Sequence, residues 1–261
     1  MLARRRLALV VPLAAAWLVV ASPAVPAADS AGSTSIHNGV PTAAYPAVGA
    51  VMVSFEGDVV GLCSGTLVAS DVVLTAAHCL EGEVLDAGIY LSPNGVQESF
   101  HPGIGAVVHA EYRAGVAAWA DIALLFLAEP VTDVTPLPWA TAVPRPRTHA
   151  TIVGFGADGA GGAAGTKREG EVRVKRCPKV FRRAGLAKGQ LRTSICWKPK
   201  RRTSDTCRGD SGGPLIVGGA VAGLTSGGFP DCPGKLSWDT NVALFASWIQ
   251  AAIDTVSRGD Q

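Results

Sequence analysis

From residue 36 onward the chain consists of short apolar stretches, and each is bounded by glycine, proline, aspartate or serine. Stretches of this kind are typical of β-strands joined by tight turns. The pattern predicts strands over residues 47–55, 65–68, 72–76, 122–127, 151–155 and 215–224. Many short strands favour an antiparallel sandwich or barrel, and this part of the chain is long enough for one large domain or two smaller lobes.

Three other segments organise the chain. Residues 243–256 have the apolar periodicity of a helix. Residues 136–146 contain four prolines, which suits an extended connector between two lobes. Residues 157–165 are almost all glycine and alanine, and we expect a mobile loop there.

The start of the chain has the layout of a secretory signal peptide. Three arginines at positions 4–6 precede an apolar run over residues 7–20, and small residues lead to a cleavage site after Ala27. The alternative is a membrane anchor, but the run is short of the roughly 20 apolar residues that a span needs. We therefore predict a signal peptide over residues 1–27 and a secreted, extracellular protein that leaves the membrane once the signal is removed.

Six cysteines follow the predicted signal peptide. An even number in an exported chain suggests three disulfides, although six cysteines allow 15 pairings and their spacing does not choose among them. A zinc site is the alternative, but no two cysteines have the tight spacing of a zinc clip. We expect neither a metal nor another cofactor.

Charge is distributed very unevenly along the chain. Residues 36–158 contain three Lys or Arg and 12 Asp or Glu, whereas residues 167–208 contain 15 Lys or Arg and three Asp or Glu. Such a split can indicate contact with nucleic acid or another polyanion. We favour the simpler interpretation, a solvated basic face, and expect no nucleic-acid partner.

A serine lies between glycines in residues 205–214, DTCRGDSGGP. Glycines let the backbone approach a substrate carbonyl and leave main-chain N–H groups free to stabilise an oxyanion. A serine hydroxyl is a weak nucleophile and needs a base nearby. The alternative is a glycine-rich turn in which a serine happens to occur.

Two further motifs supply the missing groups. His78 follows an apolar strand in LTAAHC, and histidine is the natural general base near neutral pH. Asp121 heads the apolar run DIALL, where a carboxylate is able to hold one imidazole nitrogen. Alone, each residue would more often be structural. Together with Ser211, in this order and at separations of 43 and 90 residues, they form a specific combination.

On these motifs the chain resembles the trypsin/chymotrypsin family of serine peptidases, over nearly all of residues 36–256. The resemblance includes Gly154-Phe155-Gly156. It implies two antiparallel six-stranded Greek-key β-barrels and a C-terminal helix. The first barrel would cover about residues 36–140, the second about 147–242, and the helix about 243–256.

The resemblance also implies the role of each site residue. Ser211 would be the nucleophile, His78 the base and Asp121 the group that orients the base. The oxyanion hole would consist of the backbone N–H groups of Gly209 and Ser211. Ser226 would support the buried Asp121. The implied disulfides are Cys63–Cys79, Cys177–Cys196 and Cys207–Cys232.

A specificity pocket follows from the same resemblance. Asp205 would form its floor and favour Arg or Lys before the scissile bond, with Gly228 in its wall. Two departures bear on this prediction. Ser237 stands where trypsin-like enzymes have a second wall glycine, and Gly227 replaces a common tryptophan.

Activation is implied as well. Members of the family are usually zymogens, in which cleavage frees an apolar amino terminus that pairs with the acid before the nucleophile. Here the terminus would be Ile36, the acid Asp210 and the propeptide residues 28–35. Ser35 and His37 depart from the usual neighbours of such a cut, which leaves the activating enzyme open.

The function predicted is therefore a secreted serine endopeptidase that acts on protein or peptide substrates through an acyl-enzyme. We expect a monomer, and a proteinaceous inhibitor is a further expected partner. The alternatives are a non-tryptic specificity, a non-catalytic binding protein on this scaffold, a polyanion-binding adhesin, and an esterase, which lacks its usual G-x-S-x-G motif here. The alanine-rich, short-loop composition suggests a bacterial source.

Overall fold

The structure, a computed structural model, describes residues 36–57, 59–91, 99–114, 119–157, 164–177, 193–200, 202–229 and 232–259. All of these residues belong to one compact unit, Gly32–Gln261. The predicted signal peptide and propeptide, and most of the predicted glycine–alanine loop, lie outside the described residues.

The described residues form thirteen strands and one α-helix. The strands are β1 (Val40–Pro41), β2 (Val48–Phe55), β3 (Val59–Ala69), β4 (Val72–Thr75), β5 (Val84–Leu91), β6 (Ser99–Val108), β7 (Ala123–Leu127), β8 (His149–Gly154), β9 (Arg168–Arg173), β10 (Ser194–Trp197), β11 (Pro214–Val217), β12 (Ala220–Phe229) and β13 (Leu236–Asn241). The helix, α1, is Ala246–Gly259, and 3₁₀ turns lie at Ala77–Leu80 and Val242–Leu244.

The first barrel is confirmed as a closed, six-stranded antiparallel barrel in the order β2-β3-β4-β7-β6-β5. Its two most apolar strands, β4 and β7, are buried on both faces. Val73 and Leu125 pack inside the barrel, while Leu74 and Leu124 pack outward against the second sheet and α1. This double burial explains why both strands are continuous apolar runs rather than alternating ones.

The second half is an antiparallel sheet in the order β1-β9-β8-β11-β12-β13-β10. We predicted six strands here; the sheet has seven because the short β1 pairs with β9. Within the described residues this ladder runs from β1 to β10 without closing on itself. The N-terminal segment is thus built into the half of the molecule that carries Ser211.

The predicted strand over residues 215–224 is wrong, because two strands lie there. Gly218 and Gly219, with φ values of +59° and +82°, form a turn between β11 and β12. Positive φ values at both central positions suit the tight turn of a β-hairpin, and glycine adopts them without steric cost. The apolar run is therefore a hairpin whose two arms pair with each other.

The helix also begins later than residue 243. A 3₁₀ turn occupies Val242–Leu244, and α1 begins at Ala246 and ends at Gly259. Phe245 and Ile249 are buried against the first barrel, in agreement with the predicted apolar face. The proline-rich connector contains no described strand, and Ala140 N–H donates to Val221 O at 2.9 Å as it joins the second sheet.

The cysteine pairs are those that the resemblance implied. The structure joins Cys63 to Cys79, Cys177 to Cys196, and Cys207 to Cys232. The first pair links β3 to the 3₁₀ turn that carries His78. Covalent links of this kind stabilise a fold mainly by restricting the unfolded chain.

Candidate active site

His78 and Asp121 are brought together by two paired strands. His78 lies in the 3₁₀ turn just after β4, and Asp121 lies just before β7. Because β4 and β7 are antiparallel, with Thr75 opposite Ala123, the end of one meets the start of the other. His78 Nδ1 lies 2.7 Å from Asp121 Oδ2, and the backbone N–H of His78 donates to Asp121 Oδ1 at 2.9 Å.

The carboxylate of Asp121 is completely buried, and the second sheet supplies it with further contacts. Ser226 Oγ donates to Asp121 Oδ2 at 2.6 Å, as the resemblance implied, and Thr240 Oγ1 donates to Asp121 O at 2.9 Å. These hydrogen bonds fix Asp121 between the two halves of the molecule.

The pKa of His78 reflects two opposed influences. Burial alone would lower this pKa, but the hydrogen bond to Asp121 and the negative charges of Asp121 and Glu81 raise it above its ordinary value. With Nδ1 occupied by Asp121, the remaining ring nitrogen, Nε2, is the one able to exchange a proton with a neighbour. The pair therefore has the properties of an oriented general base.

Ser211 lies beside the turn that carries His78. Ser211 O accepts a hydrogen bond from Ser64 N at 2.7 Å and lies 3.7 Å from Cys79 Sγ. Among the described residues, no hydrogen bond joins the Ser211 hydroxyl to the His78 ring. The structure thus places the backbone of Ser211 next to the predicted base but shows no bond between their side chains.

Within the described chain, some backbone N–H groups of the loop around Ser211 have hydrogen-bond acceptors and others do not. Asp210 N donates to Cys207 O at 3.1 Å, and Gly212 N and Gly213 N also have backbone acceptors. The N–H groups of Gly209 and Ser211 have no acceptor in the part of the chain that the structure describes. Two such donors beside a serine are able to receive a negatively charged oxygen.

Gly209 adopts a backbone conformation that other residues rarely take. Its φ is +92°, and a Cβ there would lie 2.7 Å from the Cα of Gly156. A side chain at this position would therefore be strained and would overlap Gly156, two residues after β8.

Ser64, in β3, is a positioning residue that the sequence reasoning missed. Its hydroxyl donates to Gly209 O at 2.9 Å and accepts from Phe155 N at 3.0 Å. Ser64 also holds Ser211 through its own N–H, so one buried side chain of the first barrel orders the loop of the second half. A lone serine in a strand gives no sequence signal for this role.

Asp210 is fully buried and accepts three backbone hydrogen bonds. The donors are Cys207 N at 2.7 Å, Gly156 N at 2.8 Å and Ile36 N at 3.3 Å. Burial raises the pKa of Asp210 to about 7, although these three hydrogen bonds oppose the increase. Ile36, whose backbone N–H is one of these donors, is also fully buried.

Asp205 is buried at the start of the same loop. Its carboxylate accepts from Thr206 N at 2.9 Å, from Gly234 N at 2.6 Å and from Ser237 Oγ. Burial raises the pKa of Asp205 above its ordinary value, while those hydrogen bonds and the nearby His37 act to lower it. Ser237 therefore does more than replace a wall glycine, because it supplies a donor to Asp205.

The other predicted pocket residues lie on adjacent strands. Ser237 of β13 is directly opposite Gly228 of β12, so the two form a cross-strand pair. A Cβ on Gly227 would lie 2.5 Å from the ring of Trp238, which leaves no space for a larger side chain there. The structure brings Gly228 and Ser237 together with Asp205, and it gives a packing reason for Gly227.

Asp239 is a second buried acid that the sequence reasoning did not identify. It is two residues after Ser237 on β13, so both side chains lie on the same face of the strand. Within the described residues, neither carboxylate oxygen of Asp239 has a hydrogen-bond partner. Burial, followed by the charge of Asp205, raises the pKa of Asp239 well above 3.8.

Three potential metal-ligand atoms lie within 4.8 Å of one another, on Cys63, His78 and Cys79. The two sulfurs form a disulfide, so neither is a thiolate that could bind a metal.

The Trypsin family profile matches residues 36–249, which include every element of this site. The chain belongs to the trypsin family of serine proteases. It is therefore a serine-type endopeptidase, and its substrates are proteins or peptides. The mostly β fold with one C-terminal helix agrees with this assignment.

Two curated relatives and one solved structure illustrate the similarity. The chain is 33% identical over 209 residues to Serine protease sp-Eoc49 of Echis ocellatus, covering 74% of this chain and 78% of that protein. It is 28% identical over 215 residues to Kallikrein-8 of Homo sapiens, covering 74% and 77%. The solved structure of GrC has a TM-score of 0.71 and 25% identity, covering 83% of this chain and 98% of that chain.

Both named relatives come from animals, so they give no support to the bacterial source that the composition suggested. Among the described residues, no helix has the length and apolar character that a membrane span requires.

Asp239 leads to a prediction for stability. Its pKa is raised in the folded state, so the folded protein binds more protons than the unfolded protein at pH values above 3.8, and its stability falls as pH rises toward the folded-state pKa. We expect Asp239→Asn to unfold like wild type at pH 4 and to be more stable than wild type at pH 8. Denaturant unfolding at both pH values measures this difference. Equal stability of the two proteins at pH 8 would contradict the assignment.

Proposed function

We propose that this serine protease is a secreted endopeptidase of tryptic specificity, with Ser211 as nucleophile, His78 as general base and Asp121 as the residue that orients the base. The observation that carries the proposal is the His78–Asp121 pair next to a serine loop in which two N–H groups have no described acceptor. Nucleophile, base and oxyanion donors are the three components of acyl transfer.

The proposed reaction has two steps. Ser211 Oγ attacks the scissile carbonyl carbon while His78 Nε2 takes the hydroxyl proton; the C–N bond then breaks, and His78 gives the proton to the leaving amine. Water attacks the resulting ester by the same route and releases the acid. Asp121 stabilises the imidazolium through the 2.7 Å contact to Nδ1. The N–H groups of Gly209 and Ser211 would hold the oxyanion in both steps.

Tryptic specificity is supported by two buried acids behind the serine loop. Asp205 and Asp239 are both buried and close enough to interact electrostatically, and Asp239 has no described hydrogen-bond donor. Burial raises the pKa of both acids, and a cationic side chain beside them would favour their ionised forms. We therefore propose that Asp205 and Gly228 receive the Arg or Lys that precedes the scissile bond, with Ser237 orienting Asp205.

Activation is proposed to occur by cleavage before Ile36. A new ammonium group at Ile36 would stand where its backbone nitrogen already lies, 3.3 Å from Asp210 Oδ2. Its positive charge would lower the pKa of Asp210 and keep the carboxylate ionised at neutral pH. Because Asp210 also accepts from Cys207 N, this ion pair would hold the loop that presents Gly209.

We further propose that the signal peptide over residues 1–27 directs export of the protein and that the protein acts as a monomer. The three disulfides support an oxidising location. We also propose a protein inhibitor that inserts a segment into the site as a substrate does.

The nucleophile is tested with Ser211→Ala. We expect a fall in kcat of roughly 10⁴–10⁶-fold, the range found for other serine proteases, and no labelling by a fluorophosphonate. Ser70→Ala, which changes an exposed serine between β3 and β4, is the matched control and should keep full activity and labelling. Continued labelling of Ser211→Ala would exclude Ser211 as the nucleophile.

The specificity pocket is tested with Asp205→Asn on a panel of chromogenic peptides. Loss of the carboxylate leaves a substrate cation unpaired, so kcat/KM for Arg and Lys peptides should fall roughly 30- to 5,000-fold. Peptides with an apolar residue at that position should change little. Asp133→Asn removes the same charge from an exposed position and serves as the control. A wild-type preference for aromatic or small residues would rule out tryptic specificity.

Activation is tested by sequencing the amino terminus of the secreted, active protein, which we expect to be Ile36. Asp210→Asn should leave this terminus intact but lower kcat, since loss of one partner from a buried ion pair costs about 3–5 kcal/mol. An active enzyme that retains residues before Ile36, together with an unaffected Asp210→Asn variant, would be incompatible with the proposal.

A further inference from the structure

A cavity of about 480 Å³ lies on the second sheet, away from the residues of the proposed mechanism. Six of its lining residues are basic side chains, and all six are exposed. We call this cavity the basic groove; these residues are Arg147, His149, Arg173, Lys175, Lys198 and Lys200.

The positive charge of the basic groove is largely uncompensated. Glu171 is the single acid among the lining residues, against five Lys or Arg. Within the described ranges, none of these five cations forms an ion pair. Glu171 also uses one carboxylate oxygen to accept from Thr151 Oγ1 at 2.9 Å.

Strand pairing and hydrogen bonds position several of the groove cations. His149 of β8 and Arg173 of β9 are directly opposite each other in the antiparallel ladder. Arg173 Nε donates to Arg147 O at 3.1 Å, and Lys175 N donates to Cys196 O at 2.7 Å. Two of the basic residues therefore lie on paired strands, and these hydrogen bonds tie the segments of Arg147 and Lys175 to neighbouring parts of the second half.

Three other lining residues are apolar. Val172, Val174 and Trp197 are buried and apolar and take part in lining the cavity. The groove therefore combines exposed positive charge with apolar lining residues.

We propose that the basic groove is an exosite for an acidic polypeptide segment that carries apolar side chains. Carboxylates would meet the exposed cations, and apolar side chains would pack on the apolar lining residues. A sulfated polysaccharide or a nucleic acid would use the cations but would not require the apolar floor, so the mixed lining favours a polypeptide. The proposal does not depend on tryptic specificity or on the proposed activation.

The experiment measures binding of a fluorescein-labelled peptide that alternates Glu and Leu, followed by fluorescence anisotropy at physiological salt. Ser211→Ala protein is used so that the peptide stays intact, and a peptide of alternating Gln and Leu is the ligand control. We expect saturable binding of the Glu peptide and at least tenfold weaker binding of the Gln peptide, because the groove attracts negative charge.

Two double variants separate the groove from general positive charge. Lys175→Gln with Lys200→Gln removes two groove cations, and Arg176→Gln with Arg202→Gln removes two exposed cations close by in sequence that do not line the groove. The groove variant should bind the Glu peptide roughly five- to thirtyfold more weakly, and the control variant less than twofold. In the protein with an intact Ser211, both variants should hydrolyse a short chromogenic peptide as wild type does.

A peptide that alternates Glu and Ser tests the apolar contribution, because it keeps the charge and lacks the leucines. It should bind more weakly than the Glu–Leu peptide. Equal losses in the two double variants would overturn the groove as a site. Binding of heparin, poly-Glu or the Glu–Ser peptide as tightly as the Glu–Leu peptide would overturn the choice of an apolar-acidic polypeptide. Thermal unfolding of each variant shows that it is folded.

Discussion

The burial of the Asp210 carboxylate is the constraint on which the site depends. Burial of a carboxylate is unfavourable unless hydrogen-bond donors compensate it, and three chain segments provide donors to Asp210: the N-terminal segment through Ile36, the segment after β8 through Gly156, and the serine loop through Cys207. These hydrogen bonds fix the path of the serine loop. Within the described residues, this path leaves the N–H groups of Gly209 and Ser211 without an acceptor.

Reciprocal contacts between the two halves place the remaining groups. Ser64 of the first barrel holds Gly209 and Ser211 of the second half. In the other direction, Ser226 and Thr240 of the second sheet hold Asp121 of the first barrel. Because each half positions the chemical groups of the other, neither half could form the site alone. The outer face of β4 and β7 packs against the second sheet and α1. The apolar surface buried there stabilises the association of the two halves.

Residues that lie in short, recognisable sequence motifs could be predicted from the sequence. Residues whose role depends on contacts distant in the chain could not. His78 and Asp121 lie in motifs at strand ends, and the structure joins them. Six strands, β1, β5, β6, β9, β10 and β13, lie outside the predicted ones. In β6 and β9 most side chains are polar, glycine or exposed, so no alternating apolar pattern marks these two strands. Asp239 and Ser64 were missed because each gains its importance only from neighbours more than 30 residues away.

One strand pair connects the interior acids with the basic groove. Trp197 of β10 is the cross-strand partner of Ser237 of β13. Trp197 lines the groove, while Ser237 donates to Asp205. Because directly opposed residues of an antiparallel pair carry their side chains on the same face, β10 and β13 join a residue of the basic groove to one that contacts the buried Asp205. A substrate with a cation at the cleavage site and an acidic segment elsewhere would match both features, whereas a uniformly charged substrate would match one and be repelled by the other.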